Sequence, residues 1–144
     1  MRVFFLSACL LLLFTMPGAA EPAQSSPWKL DAIGLYQDLL TLHRSGGLKD
    51  SGLGGISTPG GIWKKKFENH GRQRPRGVSP YFQTPENELV AYRDLIMLAL
   101  ELVKADNRPE HYDREYAAQI MDQWNGAATC MATPSKCPQR VSNR

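Results

Sequence analysis

Residues 85–105 read PENELVAYRDLIMLALELVKA, and the reading of this stretch decides the fold class. Thr84 can cap a helix, Pro85 suits its first position, and Glu86 and Glu88 suit its positive N-terminal end. Leu89, Tyr92, Leu95, Ile96, Leu98, Ala99, Leu100, Leu102 and Val103 then cover more than half the circumference of a helix over 85–105. A helix so apolar must be buried on several sides, so it is expected at the centre of a small all-α domain.

Downstream, the short 104–108 connection leads to a second run that starts at Pro109. Tyr112, Tyr116, Ile120 and Trp124 repeat every four residues, and Asn125-Gly126 reads as a stop. A helix over 109–125, antiparallel to the central one, is the expectation. Upstream, Ser26-Pro27 opens and Gly46-Gly47 closes an amphipathic helix over 27–45. Its apolar arc holds Trp28, Ala32, Leu35, Tyr36, Leu39, Leu42 and His43, and Leu30 is out of place on the polar side. The spacing therefore predicts a three-helix domain over 21–144.

Residues 46–84 separate the first helix from the central one and hold nine of the chain's twelve glycines. They are expected to form a long, irregular, Gly-rich basic loop, with a tight turn through Pro59-Gly60. Leu48, Leu53, Ile56, Ile62, Trp63, Phe67, Val78, Tyr81 and Phe82 are available to pin it to the helices.

Within this segment, residues 63–77 read WKKKFENHGRQRPRG, six cations against Glu68 alone. Lys64, Lys65, Lys66, Arg72, Arg74 and Arg76, with Trp63 and Phe67 beside them, form the candidate partner-binding set. Lysine and arginine attract carboxylates and phosphates, and arginine grips them with paired hydrogen bonds. An acidic protein surface or another envelope polyanion is the expected partner. No nucleic-acid-binding motif is present.

Met1 to Ala20 carries Arg2, an apolar run over 3–14, Pro17-Gly18, and small residues before Glu21, the layout of a cleavable secretory signal peptide. The run is short for a bilayer span. A lipobox-like Leu6-Ser7-Ala8-Cys9 offers lipidation of Cys9 as the alternative, although most of the apolar run follows it. Removal of the signal leaves two cysteines, Cys130 and Cys137, and an even pair in an oxidising compartment predicts a disulfide that closes the C-terminal tail. A periplasmic location is expected, with an extracellular one as the alternative.

The histidines carry little chemistry by pattern. His43 falls on the apolar face of the first helix, His70 lies in the basic segment, and His111 with Glu115 and Asp122 would share an outward helix face without a third ligand. There is no G-x-S-x-G elbow, phosphate-binding Gly-rich loop, H-E-x-x-H or calcium-binding loop. No catalytic residue, metal or cofactor is assigned. The expectation is an exported, non-enzymatic interaction protein of the cell envelope, of inhibitor or immunity type or an accessory subunit of an envelope or secretion assembly. A small envelope hydrolase and a protein binding anionic lipid or lipopolysaccharide are the alternatives.

Overall fold

In the computed structural model the described residues are 26–138. The signal-like segment and Cys9 lie outside them. The described chain is mostly helical and adds a small sheet: α1 Pro27–Arg44, α2 Pro59–Arg72, β1 Tyr81–Gln83, β2 Leu89–Ala91, α3 Asp94–Asn107 and α4 Arg114–Ala132. Short 3-10 turns cover Pro109–His111 and Pro134–Lys136.

α1 forms where its pattern places it, with Pro27 in the first turn and Trp28, Ala32, Ile33, Leu35, Tyr36 and Leu39 buried. Leu30, the outlier of the pattern, is 50% exposed. The other elements correct the three-helix expectation. Residues 46–84 are not one irregular loop, because α2 and β1 lie inside them. Pro59-Gly60 makes no hairpin turn: Pro59 opens α2, and Thr58 caps it by accepting a hydrogen bond from the Gly61 N–H at 3.1 Å.

The central helix begins nine residues later than expected. Thr84 to Glu88 form a turn, with Asn87 at φ +64°, that joins β1 and β2 in an antiparallel pair with Phe82 opposite Val90. The hairpin buries Phe82 and Val90 and exposes Tyr81 and Leu89, the alternation of a strand. α3 then carries Leu95, Leu98, Ala99 and Leu102 inward with Ile96 and Val103 packed beside them, in contact with α1, α4 and β2, while Met97 and Leu100 remain exposed. α4 starts at Arg114 and runs through Gly126, because that glycine packs against the hairpin turn: a Cβ there would lie 3.0 Å from the Cβ of Thr84.

The core joins all elements. Trp124 of α4 stacks on Tyr36 of α1 at 5.6 Å and meets Phe82 of β1 at 4.9 Å. The Tyr36 hydroxyl donates to Asn125 Oδ1 at 2.8 Å and ties α1 to α4. Glu101 is buried but satisfied: Lys104 Nζ lies 2.6 Å from Oε1, and the Asp113 N–H donates to Oε2 at 3.1 Å, which fixes the start of α4 on α3. Cys130 and Cys137 form the disulfide, with Cα atoms 4.8 Å apart. Among the described residues no helix is long and apolar enough to cross a membrane.

Candidate functional site

α2 positions the cationic segment. Its inward stripe is Trp63, Phe67 and His70, a four-then-three spacing that one helix face requires. Trp63 is 3% exposed and its indole N–H donates to the Leu35 carbonyl of α1 at 2.9 Å. Phe67 stacks on Trp63 at 5.6 Å and on Tyr92 at 4.8 Å. These two aromatic residues therefore turn into the fold, and the outward faces of α2 carry the lysines.

His70 closes the far end of α2. Its ring stacks on Trp28 at 4.6 Å, and its Nε2 donates to the Trp28 carbonyl at 2.8 Å. A carbonyl can only accept, so Nε2 carries a proton. The indole N–H of Trp28 returns a bond to the His70 carbonyl at 2.8 Å, and the Tyr92 hydroxyl sits 2.8 Å from Nδ1. Burial holds the Tyr92 phenol above the ordinary tyrosine range. His70 is thus a clasp between the start of α1 and the end of α2. With Trp63 bonded to Leu35, it makes the two helices antiparallel neighbours.

Lys64, Lys65 and Lys66 point outward and are exposed. Lys64 Nζ lies 3.9 Å from Glu68 Oε1, and both side chains are about half exposed, so that pair holds little energy. Arg72 ends the helix and donates to Asn69 Oδ1 at 2.6 Å, while exposed Arg74 and Arg76 follow in the connection to β1. The structure places the six cations on one anchored helix and the segment leaving it. Thr58-Pro59 and the Trp63, Phe67, His70 spacing were the sequence signals for this helix.

Two open grooves flank α2. One, of about 350 Å³, runs between α1 and α2 and is lined by Leu30, Asp31, Gly34, Leu35, Asp38, Lys66, His70 and Gln73. The other, of about 330 Å³, lies at the hairpin's open end between Arg74 and Arg93, over Trp28, Tyr81 and Tyr92. Nearby, Lys29 donates to the Tyr81 carbonyl at 2.8 Å, and burial lowers its proton affinity.

The other histidines are placed apart from α2. His43 Nδ1 is 3.1 Å from Asp106 Oδ2, a link between α1 and α3. His111 sits in the 3-10 turn before α4, so it does not share a helix face with Glu115 and Asp122. Among the described residues no three His, Cys, Asp or Glu side chains gather in a metal-binding cluster. Comparison of the chain with protein families, curated proteins and solved structures yields no match.

Proposed function

We propose that this chain is an exported, non-enzymatic contact protein of the cell envelope, an inhibitor or immunity-type protein or an accessory subunit of an envelope or secretion assembly. Its cationic α2 surface meets an acidic protein surface. The observation that carries this reading is the division of labour on α2. The aromatic stripe fixes the helix to α1 and the hairpin, while Lys64, Lys65, Lys66 and Arg72 are displayed to solvent on a rigid support. Charges held in place by a folded helix need less ordering on binding than charges on a mobile loop. The remainder of residues 21–144 has a net negative charge, so the positive charge is concentrated on this surface. The Cys130–Cys137 disulfide supports an oxidising compartment.

The test uses the full chain, expressed with its N-terminal segment and a C-terminal affinity tag, beside a variant with Lys64, Lys65, Lys66, Arg72, Arg74 and Arg76 changed to Ser. All six side chains are exposed, so the variant is expected to fold. The wild-type chain should retain an acidic envelope protein that salt releases, and the variant should not. Equal retention of the same proteins by both chains would refute the assignment of this surface. An intact initiator Met1 on a cytosolic product with free thiols would refute export.

A further inference from the structure

A glycine in a helix interior costs about 1 kcal/mol relative to alanine. At the start of α2 the cost has a visible reason: a Cβ on Gly60 or on Gly61 would lie 1.8 Å from the carbonyl oxygen of Gly52 or Gly55 respectively. At the middle of α1 it has none. A Cβ on Gly34 would meet no atom within 4 Å. Nothing among the described residues requires glycine there. What the missing side chain does is leave open the groove between α1 and α2.

The walls of that groove carry unspent interactions. Asp31 and Asp38 on α1 and Lys66 on α2 have no ion-pair partner among the described residues, although both signs line one groove. Leu30 at one end is 50% exposed, and Ile62, one turn before Lys66 on α2, is 45% exposed. From Asp31 to Asp38 the groove follows about two turns, roughly 10 Å, of α1. Two antiparallel helices with a notch between them offer ridges and a groove of the kind a third helix packs into, and a residue without a side chain lets its backbone come close.

We propose that the groove floored by Gly34 is the docking site for an amphipathic helix of the partner protein. The incoming helix sets an apolar ridge on Leu30, Gly34 and Leu35, carries acidic residues on the flank beside Lys66, and carries basic residues on the flank beside Asp31 and Asp38. This rests on the reading of the chain as a contact protein, and it adds which part of the partner enters and where.

The probe is a phage-displayed library of helix-forming peptides of about 18 residues, selected on the full tagged chain. Enriched peptides should repeat apolar residues at i, i+3, i+4 and i+7 with acids on one flank. Binding should fall at least tenfold on Gly34→Leu, while that variant unfolds at or above the wild-type temperature because the space is open. Lys66→Glu should weaken the same peptides, and an acid-to-lysine change in the peptide should restore them, which keeps the test independent of how Gly34→Leu folds. Peptides without the helical pattern, or equal binding to wild type and Gly34→Leu, would overturn the proposal. If Gly34→Leu still retains the envelope partner that the six-serine variant loses, the groove fails and the cationic-surface reading stands. If Gly34→Leu loses it while a five-serine variant that keeps Lys66 retains it, the groove stands and that reading fails.

Discussion

Changing Gly61 to alanine adds one methyl group, and the structure fixes where it goes. The new carbon would lie 1.8 Å from the Gly55 carbonyl oxygen, 2.8 Å from the Gly55 carbonyl carbon and 2.9 Å from Thr58 Oγ1. Non-bonded heavy atoms settle at about 3.5 Å, and neither Gly55 atom can swing away as a side chain would. Relief requires the 52–55 segment to lift off the start of α2. That segment is also tied to the helix by the Thr58 hydroxyl, which donates to the Gly54 carbonyl. Overpacking costs about 1–3 kcal/mol, and backbone against backbone belongs at the upper end. The gain in helix propensity, at most about 1 kcal/mol, leaves a net loss of about 2 kcal/mol. For a chain of this size the midpoint of thermal unfolding should drop by about 8 °C. Gly34→Ala is the internal control: the same chemical change, on a helix, into open space, should raise the midpoint by about 4 °C. Circular dichroism through the melt reads both. Gly61→Ala melting at or above wild type, or Gly34→Ala melting below it, would show that these contacts do not govern the two positions.

Three further outcomes follow from other contacts. Trp63→Phe keeps the ring in the core but loses the hydrogen bond to Leu35, and should cost about 1 kcal/mol in chemical denaturation. The Tyr36 phenol is pushed up to about 12 by burial first and by the nearby Asp122 charge second. Its contribution to stability is therefore whole below the unfolded value of 10.0 and is lost as pH rises towards about 12, and Tyr36→Phe should flatten that alkaline decline in the denaturation midpoint. Reduction of Cys130–Cys137 opens a ring of sequence separation 7 and should cost about 2 kcal/mol. Hydrogen exchange should report the loosening at the end of α4 and leave α1 protected.

The legible parts of the fold were those whose pattern and boundary signals agreed. α1 has an unbroken apolar arc between Pro27 and Gly46, so its period and its punctuation give one answer. α2 was hidden because Gly60, Gly61 and Gly71 are poor helix formers and the segment is crowded with glycines on both sides. It stands on tertiary contacts, chiefly Trp63 on Leu35 and His70 on Trp28. β1 and β2 were hidden for the opposite reason: Leu89 and Tyr92 happen to fit the helical period that Leu95 continues, and the turn at Asn87 breaks it. Gly126 resembled a stop because its packing against Thr84 is long-range and leaves no local trace. Of the candidate site, the positive charge was legible residue by residue. Its support was not, and neither was the groove, since a notch exists only once two helices lie side by side.

The three indoles occupy three different joints and differ in polarity. Trp124 is fully buried and its N–H has no hydrogen-bond partner among the described residues. Trp63 and Trp28 each give theirs to a carbonyl, and Trp28 also faces an imidazole. The molecule thereby carries its own optical gauge. Trp124 should emit furthest to the blue and report on the centre, while quenching of Trp28 should register any parting of the histidine clasp. Single-tryptophan versions would let each joint be watched separately, with no dye attached.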